Sequence, residues 1–323
     1  MKKMYKKLSV LLLILSMLAV SMLTACGNST ELSDKVKLGT LNGPTGMGLI
    51  DLQDNENIRM DTYQAPDELV QKLISGDVDV ACLPSNMGAV LNAKTDGDVV
   101  VLTTVVNGVL WLLENEGDGE LSAQSMEELK GKTIFASGKG GTPEYVLQAL
   151  LENAGLKMGE DVKVEWLDAH ADVAQKLMAT EGAFALLPEP FASTVLSKNE
   201  KVEVAVDIND AWNQMTGQEL PMGILIAKKE FAESRADDAD TLLTLVEASV
   251  EDVKGASEEV IGKIIDVGFM DNAVLCEDTI PRLSLTCLSS EENRETLTAF
   301  YEILYKCNPA AVGGKMPEES LFY

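Results

Sequence analysis

The chain of 323 residues contains one histidine, His170, and four arginines, Arg59, Arg235, Arg282 and Arg294. A single histidine excludes a multi-histidine metal centre and makes any histidine-dependent catalytic triad rest on that one residue. Basic residues number 26 against 52 acidic ones, a formal charge of −26. Such a surface repels phosphate backbones, so no nucleic-acid partner is expected. The five cysteines include no CxxC spacing. Zinc-ribbon and thioredoxin-type chemistry therefore have no basis here. Nor does the sequence contain a GxxxxGK[ST] loop, a GxGxxG fingerprint or a GxSxG elbow.

What is present begins with a leader. Met1 to Lys7 carries four lysines and no acid, and Leu8 to Met22 is apolar apart from Ser9, Ser16 and Ser21. Leu23-Thr24-Ala25-Cys26 follows, then Gly27-Asn28-Ser29-Thr30. The plan predicts an export signal over residues 1–25, lipidation at Cys26 and a polar tether over 26–35. The apolar run is short for a membrane span of about 20 residues. Without the leader, 22 bases face 52 acids, a charge of −30. Cys82 lies in the apolar run Val78 to Leu83, which predicts a buried thiol. Cys276 and Cys287 are a possible disulfide, with isolated core thiols the better reading.

Short apolar runs then alternate with amphipathic stretches. Strands are predicted over Val36–Leu41, Ile58–Tyr63, Val78–Leu83 and Val99–Val105, with a helix over Asp67–Ser75. The series restarts with strands Thr133–Ala136, Val162–Trp166 and Phe184–Leu187 and helices Glu144–Asn153 and Ala171–Ala179. Six identities fall at a constant offset of 104, from Gln71/Gln175 to Pro84/Pro188. Each copy reads helix, strand, proline. Leu220–Ala227 reads as a further strand, followed by helices Asp240–Val253, Glu258–Val267 and Glu291–Tyr305.

The expected fold class is α/β, with two lobes of like topology, each a mixed, mostly parallel sheet flanked by helices. The first lobe is expected over 36–107 and 221–323, the second over 108–220. Two hinge crossovers are expected, near Asn107–Leu113 and Asp210–Met222.

Ligands of such sheets bind beyond the C-terminal strand ends. Four loops take that position: Asn42–Met47, Pro84–Met87, Ser137–Pro143 and Pro188–Phe191. The glycines of the first and third suit close backbone approach, and Ser137 and Thr142 add hydroxyls to an anion-accepting nest. Glu189 is expected to hydrogen-bond a ligand or the hinge. No arginine lies in these loops, which argues against a ligand held by a bidentate carboxylate fork. Lys139 is their only cation. Tyr63, Trp111 and Trp212 are expected to pack against the sheets, and His170 to be exposed.

Several motifs carry a family resemblance. Asp67 to Leu91 with Gly76-Asp77-Val78-Asp79-Val80-Ala81, Leu129 to Ile134, Ser137 to Tyr145 and Leu187-Pro188-Glu189-Pro190-Phe191 resemble solute-binding proteins of nitrate, sulfonate, taurine and thiamine-precursor ABC importers. Asn308-Pro309 and Gly313-Gly314-Lys315 look similar as well. The resemblance spans most of residues 36–323. It implies a type II periplasmic-binding-protein fold and capture of a small organic or oxyanion solute. It further implies delivery to a permease and its ATPase, by a lipid-anchored extracytoplasmic monomer that is not an enzyme and needs no cofactor or metal. The family's ligand positions carry over to Thr45, Met47, Ser85, Asn86, Ser137, Thr142 and Glu189, with Asn107 added on the hinge side. A pyrimidine-precursor synthase of thiamine biosynthesis resembles the same fold. It uses iron with histidine and cysteine-rich segments, which this chain lacks. A ligand-sensing surface lipoprotein is the third reading.

Overall fold

In the computed structural model, residues 31–116, 119–270, 272 and 277–323 are described. The leader, Cys26 and Cys276 lie outside them, so the lipidation and disulfide readings do too. Cys82, Cys287 and Cys307 are free thiols, and Cys82 is fully buried.

Two five-stranded sheets form the frame. The first contains β1 (Val36–Leu41), β2 (Ile58–Tyr63), β3 (Val80–Pro84), β4 (Val99–Asn107) and β10 (Pro221–Lys228), in the order β2-β1-β3-β10-β4. The second contains β5 (Leu110–Asn115), β6 (Thr133–Ala136), β7 (Lys163–Trp166), β8 (Ala183–Pro188) and β9 (Val202–Asp207), in the order β7-β6-β8-β5-β9. In each sheet four strands run one way and one runs against them: β10 in the first, β5 in the second. The two orders superimpose strand for strand. The 104-residue repeat falls on β3 and β8, the central strands, which end at Pro84 and Pro188.

Helices cover both faces of each sheet, so central strands are apolar on both sides. In β3, Val80 and Cys82 join one core while Ala81 and Leu83 join another. The second of these cores passes through both lobes, taking in Leu83, Leu147, Leu150 and Trp212. Trp212 meets Phe300 with ring centroids 5.8 Å apart. The lobes thus share buried surface as well as two crossing segments.

The crossings are shorter than expected. Leu110–Leu113 belongs to β5, which pairs with both β8 and β9, so the outward passage is only Gly108–Val109. Residues 208–216 form a helix, capped by the Asp207 carboxylate, which accepts from the amides of Asn209 and Asp210. The return is therefore 217–220. Gly108 has φ 26°, and a Cβ there would lie 2.3 Å from the Asn209 side chain, so glycine is required.

Of the stretch read as a tether, Leu32 is buried and Ser33 binds Asp238 through its amide (2.6 Å) and hydroxyl (2.8 Å). Arg235 adds hydrogen bonds to the carbonyls of Asp34 and Lys35. Any free tether ends before Leu32.

Candidate functional site

The loops after β3, β6 and β8 meet where the lobes face each other. Asn86 starts the helix after β3 and Thr142 starts the helix after β6. The Thr142 hydroxyl donates to Asn86 Oδ1 at 3.1 Å, a bond between lobes. Both side chains are buried. Asn86 Nδ2 is held in turn by the carbonyl of Ala311 at 3.4 Å.

A second link between the lobes involves Glu189. Its Oε1 accepts from Arg282 Nε at 2.5 Å, and its Oε2 accepts from the Ser193 amide at 3.0 Å. The Glu189 side chain is 0% exposed, and that of Arg282 is 24% exposed. The guanidinium also lies 3.9 Å from the ring centroid of Trp111. A planar cation on an indole face is held by the ring quadrupole and cannot easily turn away.

Ser137 ends the third contact series. Its Oγ lies 2.6 Å from His170 Nδ1, and the imidazole packs 5.3 Å from the Phe191 ring. Burial lowers the His170 pKa, because a desolvated imidazolium is disfavoured. The histidine is therefore half-buried within the second lobe, against Ser137 and Phe191, not the exposed residue the sequence suggested. Its position at the first turn of a helix gave no hint of the inward rotamer.

Buried side-chain polar atoms without a partner mark the same region. They include Ser85 Oγ, Trp111 Nε1, Ser193 Oγ and Arg282 Nη2, on or beside the residues of these contacts. An unmet buried polar atom costs about 1–3 kcal/mol, so these atoms are able to bond a further polar group. Trp111 Nε1 and Arg282 Nη2 are donors only, so they call for an oxygen acceptor.

Not every expected residue faces this region. Met47 is 1% exposed and sits in the core with Leu49 and Ile50, because its short helix packs its apolar side inward. The Thr45 hydroxyl turns back onto the carbonyl of Leu41 at 3.2 Å. Asn107 lines a separate pocket beside the crossings. Lys139 is exposed, so the cation of the site is Arg282. Arg282 comes from the C-terminal segment of the first lobe, 93 residues from Glu189, where no loop motif announces it. Its presence corrects the argument against an arginine-held acid group.

A sequence model described as menaquinone biosynthesis matches residues 45–306. No curated protein matches the sequence. Solved structures do resemble the fold. An ABC transporter protein from Parabacteroides distasonis has 21% identity and a TM-score of 0.76, over 90% of this chain and 99% of that one. The periplasmic aliphatic sulphonate binding protein of Escherichia coli has 17% identity and a TM-score of 0.70, over 90% and 92%. A protein of Archaeoglobus fulgidus, AF1704, has 15% identity and a TM-score of 0.59, over 87% and 98%. The architecture is thus the two-lobed fold of periplasmic solute-binding proteins.

Proposed function

The chain belongs to the menaquinone biosynthesis family, and from that premise and the contacts at its lobe junction we propose that it binds a small solute without converting it. In this reading it is an extracytoplasmic lipoprotein, anchored through Cys26, that hands its solute to an ABC permease and ATPase. The observation that carries it is that Trp111 Nε1 of the second lobe and Arg282 Nη2 of the first, whose side chains touch across the junction, are both buried and unpartnered. The leader and the binding-protein fold support the location and the partners.

The mechanism follows from which lobe holds each group. Thr142, Ser137, His170, Trp111 and Glu189 belong to the second sheet's lobe, and Ser85, Asn86 and Arg282 to the first. A solute that accepts from Arg282 Nη2 and Trp111 Nε1 contacts both at once. Only contacts to both lobes shift the equilibrium toward closure. The Glu189–Arg282 pair holds the guanidinium in place before the solute arrives. The solute class this fits is a small oxyanion or an organic acid, sulfonates and carboxylates included.

The test is a thermal-shift screen over sulfonates, carboxylates, nitrate, bicarbonate, pyrimidines, thiamine and riboflavin. One class is expected to raise the melting temperature and to be recovered with its mass unchanged. A screen with no shift, or a ligand recovered as product, contradicts the proposal.

A second reading is favoured by one contact. The Ser137–His170 pair, in a family named for a biosynthesis, is suited to proton transfer inside the cleft. Under that reading His170→Gln abolishes turnover while binding survives. Under the first, His170→Gln has no turnover to lose.

A further inference from the structure

The contacts between the lobes are of two kinds. In the first, the Ser290–Cys307 helix of the first lobe packs along the Thr142–Asn153 helix of the second. Leu297, Phe300 and Leu304 of the one join Leu147 and Leu150 of the other in a single apolar core. Trp212, on the Ile208–Thr216 helix of the second lobe, enters the same core and meets Phe300. Trp212 and Phe300 come from different lobes, yet each is 1% exposed. At the far end of both helices the Cys307 thiol lies 3.8 Å from Glu152 Oε2. The second kind is polar: Arg282 on Glu189 and on Trp111, which packs in a separate core belonging to the second lobe.

The crossing segments belong with the first kind. They are bonded to each other, the Gly108 amide donating to the Leu220 carbonyl at 2.9 Å. Asn209 of the second lobe fastens the return crossing, donating to Glu219 at 2.8 Å and accepting from the Leu220 amide at 3.0 Å. Gln218 of the same crossing accepts from the Thr296 hydroxyl of the Ser290–Cys307 helix at 3.4 Å. Crossings and helix thus form one unit. Parting the apolar contact would return two aromatic side chains and several leucines to water, which opposes it. Parting the polar contact exchanges protein hydrogen bonds for water ones, at small net cost.

We infer that the second lobe opens by rocking on the Ser290–Cys307 helix: the core around Phe300 and Trp212 stays closed while Arg282 parts from Glu189 and Trp111. This rests on the proposed closure of the lobes over a solute, and it moves the pivot from the crossing segments alone to a packed helix. The Thr142–Asn153 helix is then a lever. Its Glu152 end stays against Cys307, and its Thr142 end carries the bond to Asn86. Thr142 and Glu152 are ten residues apart, about 15 Å along the helix axis. A rotation of about 15° at the Glu152 end moves Thr142 by roughly 4 Å, enough to break its bond to Asn86.

The experiment joins the two helices at the pivot and asks whether the lobes still open. Glu152→Cys, at an exposed position, places a thiol beside Cys307, and oxidation or a short bismaleimide links the pair, with the link read by peptide mass. Opening is driven by Arg282→Gln, which leaves the buried Glu189 carboxylate without its cation until water reaches it. Small-angle scattering reads the radius of gyration of the full chain. Arg282→Gln is expected to raise it, and by the same amount with the link as without it. A rise abolished by the link shows that the helices part on opening and overturns the inference. So does the absence of any rise in Arg282→Gln, or a thiol pair that accepts neither link. No solute is used, so the result is independent of whether the chain binds one.

Discussion

Arg282 donates to Glu189 across the lobe junction at 2.5 Å while its guanidinium lies on Trp111. One side chain from the first lobe thus touches two residues of the second. Removing Arg282 leaves a fully buried carboxylate without its cation. Breaking a buried pair in this way costs about 3–5 kcal/mol. Arg282→Ala is therefore expected to lower the urea midpoint markedly. Glu189→Gln, which leaves a partly exposed guanidinium, is expected to lower it less. Equal effects of the two substitutions contradict the asymmetry.

Trp111 should report the solute. Three tryptophans are present, at 111, 166 and 212, and only Trp111 has both an unpartnered buried N–H and a cation on its face. A ligand found by the screen is expected to change intrinsic fluorescence in wild type and in Trp166→Phe. In Trp111→Phe the change should be lost. A full signal in Trp111→Phe places the solute elsewhere.

Thr142→Val removes the hydroxyl that reaches Asn86 Oδ1 and leaves that buried oxygen unpaired. A neutral hydrogen bond contributes about 0.5–1.5 kcal/mol, and the orphaned acceptor adds to the loss. Reduced stability and a larger radius of gyration by small-angle scattering are expected. A variant as stable and compact as wild type shows that this bond does not hold the lobes.

The single histidine gives a direct pH readout. Burial holds the His170 pKa below its ordinary 6.5. As pH falls through 6.5 the unfolded chain takes the proton first. The neutral histidine's contribution is therefore complete above 6.5 and is lost as pH drops toward the folded value. The one imidazole resonance in an NMR titration should have its midpoint below 6.5. A midpoint at or above 6.5 contradicts the half-buried Ser137–His170 contact.

The sequence carried the frame further than the site. The offset between Pro84 and Pro188 marked the two central strands because both are buried on both faces and read as unbroken apolar runs. β5 stayed hidden because Val99 to Leu113 is nearly continuous apolar sequence. The break at Asn107-Gly108 is the outward crossing, only two residues long, between β4 of the first sheet and β5 of the second. The helix from Ile208 to Thr216 was hidden behind its polar cap, Asp207. The strand-end positions of Ser85, Asn86, Ser137, Thr142 and Glu189 were legible from the strand-to-helix pattern, and Asn86, Thr142 and Glu189 make contacts between the lobes. Met47 was not distinguishable from them, since a loop motif does not say which side of a single helical turn is buried. The placements of Arg282 and His170 were invisible for another reason: Arg282 meets Glu189 and His170 meets Ser137 through contacts distant in sequence, and neither leaves a local pattern.

The central claim is that a solute is held, unconverted, between Arg282 and the second lobe. Its most direct test is equilibrium dialysis of the solute giving the largest thermal shift, against wild type and Arg282→Gln, with the solute's mass read afterwards. A charge-assisted hydrogen bond contributes about 1.5–3 kcal/mol, so the variant should bind about tenfold to a hundredfold more weakly. The account predicts one solute per wild-type chain, that loss in the variant and an unchanged mass. Equal affinity in the two proteins, or a changed mass, contradicts it.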